Sequence, residues 1–221
     1  MRVSVITPTA DQPVGIGLLE QYVGRQTVQP HEWIVADDGD RPATLTAGQV
    51  HVVRERTLNG GGSLALNMLA ALEAVTGDYV VIMEHDDWYA PDHIEQCLAV
   101  DSPATGSGYI RYYNVKSRSW VRLRCRGSAL CATAFRVECL PIMRAAAESA
   151  LKSGSISVDN NFWRSVGGTV GELNTVVGMK GLPGRKGLGM GHNPVNWKPD
   201  PKMATLTQWI GADAALYARL Y

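Results

Sequence analysis

Glu84-His85-Asp86-Asp87 places three carboxylates within four positions. Carboxylates this close repel one another unless a positive charge lies among them. A divalent cation that favours hard oxygen ligands, Mg²⁺ or Mn²⁺, is the natural candidate. Alternatively the stretch is a solvated acidic turn ahead of a helix near Pro91. Two more polar knots are Pro8-Thr9 and Asp37-Asp38-Gly39-Asp40. Asp159, in Ser157-Val158-Asp159-Asn160-Asn161-Phe162-Trp163-Arg164, either caps a helix or accepts a proton as a general base. His192 ends a run with five glycines in residues 181–191, which also holds Arg185 and Lys186. So much glycine disfavours a regular element, so the loop is either flexible or wraps a ligand.

Alternating elements position these groups. Val3 to Ile6 reads as a buried strand that breaks at Thr7-Pro8-Thr9-Ala10-Asp11. Residues 16–24 read as a helix with Ile16, Leu19, Tyr22 and Val23 on one face. Glu32 to Ala36 and Gln49 to Arg54 read as strands. Asn59-Gly60-Gly61-Gly62-Ser63 opens a helix from Leu64 to about Val75, with Ser63 as its N-cap. Tyr79 to Met83 is a further apolar, β-branched strand leading into Glu84. Strand, loop and helix alternate as in a parallel α/β sheet. Ligands of such sheets bind at the carboxyl ends of the strands, where the three polar knots fall.

The 221 residues suit one domain with a closing appendage. No apolar run approaches the roughly 20 residues that span a bilayer, and Met1 leads straight into a strand pattern without a signal peptide. Cys97, Cys125, Cys131 and Cys139 fit no zinc spacing and read as buried free thiols of a cytoplasmic protein. Gly15-Ile16-Gly17 lacks the third small residue of a dinucleotide fingerprint. Gly181 to Gly187 lacks the second glycine and the Ser or Thr of a phosphate loop. Nicotinamide and P-loop chemistry are thereby set aside. The net charge of zero conceals two halves: residues 1–105 carry 15 acids and 5 Lys/Arg, residues 106–221 carry 6 acids and 16 Lys/Arg.

Much of that excess lies between Tyr109 and Arg126, where Arg111, Lys116, Arg118, Arg122, Arg124 and Arg126 occur without an acid. Tyr109, Tyr112, Tyr113 and Trp120 interleave with them. As a strand, Arg122-Leu123-Arg124-Cys125-Arg126 puts three arginines on one face. Basic residues among aromatics compose a nucleic-acid surface, and Trp163 is a further aromatic candidate for it. Alternatively the stretch balances the acidic half. Met203 to about Leu220 reads as one amphipathic helix, packed on the domain or open to a partner.

Val3-Ser4-Val5-Ile6-Thr7-Pro8-Thr9, Trp33 to Gly39, Ala65-Leu66-Asn67 and Gly77 to Asp87 together resemble glycosyltransferase family 2. The resemblance is dense over residues 1–95. It implies a GT-A fold: a Rossmann-like, mostly parallel sheet flanked by helices, forming a single domain over residues 1–200 with a C-terminal helix over 201–221. Residues 1–105 would then be the nucleotide-sugar and metal half, and 106–200 the acceptor half with the glycine-rich loop. The family implies a nucleotide-diphosphate sugar donor, UDP-linked in the first instance. Pro8, Thr9, Asp38 and Asn67 are its implied contacts, although Leu66 stands where the family often has Arg. Glu84-His85-Asp86 matches the D-x-D metal motif with Glu first, so Asp86 is the implied direct ligand of Mn²⁺ or Mg²⁺ and Glu84 a donor-side residue. His192 would complete the metal shell, with Arg185 and Lys186 facing the diphosphate. Ser157 to Arg164 resembles the family's base segment with Val158 replacing Glu, which makes Asp159 the implied base of an inverting transfer.

A small GT-A enzyme with a basic acceptor half resembles virus-encoded transferases that glycosylate hydroxymethylated pyrimidines in DNA. Arg122, Arg124, Arg126 and Trp163 would be the contacts of such a polyanionic acceptor. Three other functions stay open: transfer to a saccharide or lipid-linked glycan, nucleotidyl transfer, and a non-catalytic nucleic-acid-binding module on the same scaffold.

Overall fold

The computed structural model describes residues 1–46, 49–184, 187–188 and 195–221. Arg185, Lys186 and His192, expected at the donor and metal, lie outside the described residues.

A seven-stranded sheet forms the frame. Its strands are β1 (Val3–Thr9), β2 (Glu32–Asp37), β3 (Gln49–Val53) and β4 (Tyr79–Ile82), with β6 (Ala104–Ser107), β9 (Ala134–Arg136) and β10 (Thr169–Gly171), in the order β10-β6-β9-β4-β1-β2-β3. β1 pairs in parallel with β2 and β4, and β2 with β3; β9 runs antiparallel to β4 and β6. All seven residues of β1 are buried, as a central strand covered on both faces requires. The expected break at Thr7 is three residues early. β1 continues through Pro8 to Thr9, and proline is tolerated so near the end of a strand.

Period-two alternation sends neighbouring side chains to opposite faces. Val3, Val5, Val81 and Met83 enter one core, and Ile6, Val80 and Ile82 the other. The second core is closed by α2 (Gly61–Ala74), α4 (Leu140–Ser153) and α5 (Val158–Ser165). The first is closed by α1 (Pro13–Gly24), the short α3 (His93–Leu98) and a second sheet. That sheet has the order β12-β8-β7-β11-β5: β5 (Asp87–Tyr89), β7 (Tyr109–Asn114), β8 (Ser119–Arg124), β11 (Val176–Lys180) and β12 (Lys198–Pro199). Strands from both halves of the chain therefore share each sheet.

Two expectations about helices need correction. Ser63 does not cap α2; Gly60 does, at φ +59°, and Ser63 lies inside the first turn. The closing segment is not one helix. α6 (Ala204–Ile210) and α7 (Ala214–Ala218) are separated by a 3₁₀ turn at Gly211–Asp213, where Gly211 has φ +61°. The turn keeps most of the expected apolar set inward: of Leu206, Trp209, Ile210, Ala214 and Tyr217 all are buried but Trp209, which is half-buried. The segment packs on the domain, with the Tyr22 and Tyr217 hydroxyls 2.7 Å apart and Asp213 accepting from Trp88 Nε1 at 2.7 Å. Among the described residues no helix is long and apolar enough to cross a membrane.

Candidate active site

The order β3-β2-β1-β4 reverses direction between β1 and β4, and a crevice opens there at the carboxyl ends of the strands. Pro8, Thr9, Gln12, Ser63, Asn67 and His85 line a hollow in it. Three expected donor residues, Pro8, Thr9 and Asn67, thus meet in one place. Thr9 Oγ1 and Asn67 Oδ1 are buried there with no hydrogen-bond partner among the described residues. Leaving buried polar atoms unpaired costs free energy, so they mark where a ligand would be held. The N-terminus of α2 borders the same hollow through Gly60 and Ser63. Its amides and dipole favour negative groups.

Glycines set this geometry by close approach. A Cβ on Gly61 would lie 2.5 Å from the Ser155 carbonyl oxygen, and one on Gly15 would lie 2.5 Å from the His85 carbonyl oxygen. Gly15 therefore serves the contact between α1 and the acidic stretch. His85 Nδ1 in turn lies 3.1 Å from the Pro8 carbonyl oxygen, joining the ends of β1 and β4.

Asp38 stands behind the hollow rather than in its lining. Its carboxylate is buried; it accepts from Ser63 Oγ at 2.7 Å and from Asn67 Nδ2 at 3.0 Å. Arg54 and Arg56 approach it at 3.8 and 3.9 Å. Asn67 Nδ2 also donates to the Thr9 carbonyl at 3.0 Å, so Asp38 orients the two α2 side chains that face the hollow. The other carboxylate of the pair, Asp37, accepts backbone N–H groups of Gly39 and Ala43, both at 2.7 Å, and shapes the turn after β2.

The acidic stretch is not a solvated turn: Asp86 and Asp87 are buried and Glu84 is half-buried. The positive charge among the carboxylates is Lys180, the last residue of β11. Its Nζ donates to Asp86 Oδ2 at 2.8 Å and to Asp87 Oδ1 at 3.0 Å. The antiparallel register of Gly178 with Asp87 brings it there. Burial works against the Lys180 charge, but Asp86 and Asp87 outweigh it and hold the ammonium well above its usual range. Burial first, then the charges of Asp87 and Asp86, pushes the Glu84 carboxyl well above the usual carboxylate range. Burial likewise raises Asp87, against the pull of Lys180.

Among the described residues, one ammonium stands against three carboxyl groups. Asp87 Oδ2 is buried without a hydrogen-bond partner among the described residues. Hard oxygen donors fit a divalent cation. Ligand atoms of Glu84, Asp87 and Cys131 lie within 4.8 Å of one another. The Cys131 thiol is raised well above its usual range by burial and the nearby Asp87 and Glu84 charges.

Asp159 lies in the first turn of α5, whose capping position is Ser157. Burial raises its carboxyl above the usual value, opposed by the N–H of Asn160 at 2.8 Å. Its charge is among those that raise Glu84, so the two carboxylates share one electrostatic neighbourhood. The Cys125 thiol, between Arg124 and Arg126, is also raised by Asp159, after burial. Gly127 packs against Trp163 of α5, since a Cβ there would lie 2.5 Å from that side chain. The basic stretch therefore runs past the helix that carries Asp159.

Arg122, Arg124 and Arg126 are exposed and alternate with half-buried residues as expected, although β8 itself ends at Arg124. Arg122 pairs with Glu172 at 3.0 Å and lies 4.4 Å over the Tyr109 ring. Arg111 donates to main-chain carbonyls, and Tyr113 is buried. Trp120 packs edge-on against Trp209 and lies under Lys198. Trp163 donates from Nε1 to Thr133 Oγ1 at 3.0 Å and packs against Gly106 and Gly168. Most of these aromatic faces are thus taken up within the fold.

Sequence reasoning missed Lys180, Ser63 and Cys131. Ser63 faces Asp38 only because the helix begins three residues earlier than expected. Lys180 carries no local signal: β11 was not recognised as a strand, and its register with β5 spans more than ninety positions.

Residues 4–134 match the model of a family described as glycosyl transferase family 2. No curated protein sequence matches the chain. Among solved structures, TarS of S. aureus superposes with a TM-score of 0.55 at 16% identity, over 80% of this chain and 36% of that one. TarS 1-349 in complex with UDP-GlcNAc gives a TM-score of 0.55 at 16% identity, over 88% of this chain and 62% of that one. At such identity the likeness is one of fold, and the chain spans less than two thirds of either TarS chain.

Proposed function

The chain belongs to glycosyl transferase family 2, and from that premise we propose that it moves a sugar from a nucleotide-diphosphate sugar to an acceptor hydroxyl. The reaction takes place in the crevice between β1 and β4. One observation carries this: Pro8, Thr9 and Asn67 line a single hollow beside a buried acidic cluster that feels the charge of Asp159.

Thr9 Oγ1 and Asn67 Oδ1 offer unpaired oxygens to the nucleoside, and the α2 N-terminus favours its anionic part. Asp38 holds Ser63 and Asn67 in place. By its position in the motif Asp86 would be the direct ligand of a divalent cation, Mn²⁺ or Mg²⁺, with the neighbouring carboxylates of Glu84 and Asp87 as further oxygen donors. Such a cation, when bound, neutralises the diphosphate as its bond to the sugar breaks. Asp159 takes the proton of the acceptor hydroxyl as that oxygen attacks the anomeric carbon, and the nucleotide diphosphate leaves from the opposite face with inversion. Arg185, Lys186 and His192 belong to the proposed donor and metal shell by sequence alone. Residues 1–105 then serve the donor, and 106–200 serve the acceptor.

The exposed Arg124 and Arg126 beside α5 favour an anionic acceptor, a hydroxymethylated pyrimidine in DNA being the specific case. A saccharide acceptor is the second possibility, favoured because Trp163 and most aromatics of the basic stretch are engaged within the fold rather than free to stack on bases. The test is a panel of nucleotide sugars with Mn²⁺, scored for nucleotide diphosphate release with hydroxymethylated DNA and with saccharides. Release with DNA alone selects the first acceptor and release with a saccharide alone the second. No release with any donor overturns the proposal in favour of a non-catalytic module.

A further inference from the structure

Cys131 is the sulfur of the acidic cluster, and the proposed transfer gives it no task. Its Sγ and one carboxylate oxygen each from Glu84 and Asp87 lie within 4.8 Å of one another. Cys131 sits in a 3₁₀ turn, Leu130–Ala132. Ser128 Oγ donates to the Ala132 carbonyl at 3.0 Å and Thr133 Oγ1 to the Ala129 carbonyl at 2.8 Å, so side chains at both ends pin the turn. The Ile82 N–H donates to the Thr133 carbonyl at 3.1 Å, which ties the turn to the strand leading to Glu84. From the other side, Asp87 Oδ1 accepts the Met179 N–H at 3.1 Å and Lys180 Nζ at 3.0 Å. Those bonds hold the carboxyl to β11 and leave Oδ2 over. Asp87 Oδ2 is buried with no nitrogen or oxygen partner among the described residues, and the Cys131 thiol is in contact with the same carboxyl. Asp87 and Cys131 are each 2% exposed, whereas Glu84 is half-buried, so an ion would enter past Glu84.

A thiol is a weak hydrogen-bond donor to a buried carboxylate oxygen. As a thiolate it is a strong metal ligand. Mg²⁺ keeps oxygen ligands and water, whereas transition-metal ions such as Co²⁺ and Zn²⁺ accept sulfur beside oxygen. We propose that Cys131 is a sulfur ligand of the cation centre, together with Glu84 and Asp87, and that it makes the centre select a transition-metal ion over Mg²⁺. On binding, the S–H bond breaks, the proton leaves to solvent, and the sulfur donates the retained electron pair to the metal. The proposal rests on the reading of the acidic stretch as a cation centre and does not depend on Asp86.

The experiment is titration of the nucleotide-free full chain with Co²⁺, followed by absorption spectroscopy. Wild type is expected to show a thiolate-to-cobalt charge-transfer band in the near ultraviolet. The band should persist in Cys125→Ser and vanish in Cys131→Ser. Cys131→Ser should also weaken Co²⁺ binding by about tenfold or more, the order lost when a partner of a metal site is removed, and leave Mg²⁺ binding no weaker than in wild type. No band in wild type at saturating Co²⁺ overturns the proposal, as does a band retained by Cys131→Ser. If Cys131→Ser does not fold, Cys131→Ala replaces it. If neither folds, X-ray absorption of Co²⁺ bound to Cys125→Ser decides: one sulfur beside oxygen ligands is expected, and oxygen ligands alone overturn the proposal. These readouts need no turnover. Sugar transfer with Mg²⁺ and no charge-transfer band defeats only the sulfur ligand, whereas the band without transfer from any donor defeats only the proposed function.

Discussion

Asp159 is a half-buried carboxyl in the first turn of α5 whose pKa burial has raised above 3.8. A general base works deprotonated. Activity should therefore fall as pH drops through that raised pKa, giving an acid limb in kcat/KM that lies above the ordinary aspartate range. Asp159→Asn should remove this limb, which a pH–rate profile of residual activity can read. Asp38 behaves differently because its carboxylate is already engaged by Ser63 and Asn67. Asp38→Ala should lower stability by about 2–4 kcal/mol, since buried partners lose their acceptor. Urea denaturation measures this, and a loss within error of zero would remove Asp38 from its positioning role. The sequence revealed these carboxylates because their types and spacing are local. It did not reveal their partners, since Asp38 to Ser63 and Asp86 to Lys180 are joined only by folding.

At the scale of elements, the parallel strands were legible because β1, β2 and β4 are short buried runs that end in polar knots. β5, β9, β10 and β12 have three residues or fewer, too short for any periodicity to register. The closing segment shows periodicity misleading in another way. Its apolar spacing was right, but the chain breaks at Gly211, whose φ of +61° and ψ of −135° suit glycine almost alone. No side chain crowds that position, so Gly211→Ala isolates the conformational cost. It should destabilise the protein by about 1–3 kcal/mol, measured by thermal or denaturant unfolding. Gly61→Ala tests the approach of α2 to Ser155. The added Cβ meets a backbone oxygen at 2.5 Å, so donor affinity should fall severalfold by calorimetry as the helix start shifts.

Across the whole molecule, the charge division between the halves survives folding in part. Buried acids gather at the crevice, while Arg122, Arg124 and Arg126 remain exposed. An anionic acceptor held there should bind less tightly as salt rises, because phosphate contacts release counterions. Arg124→Ala with Arg126→Ala should flatten that dependence in a filter-binding or anisotropy titration, with donor affinity unchanged. The two halves also interlock. β5 pairs with β11, and Tyr217 near the C-terminus closes on Tyr22. Removing residues 204–221 should therefore expose the first core and abolish cooperative unfolding, rather than trim an appendage.

Nucleotide diphosphate release by wild type and by Asp159→Asn, with one productive donor and acceptor, decides whether Asp159 is the base. A loss of about 10²–10⁴-fold in kcat with donor affinity preserved is expected. Equal turnover by the two proteins would contradict it.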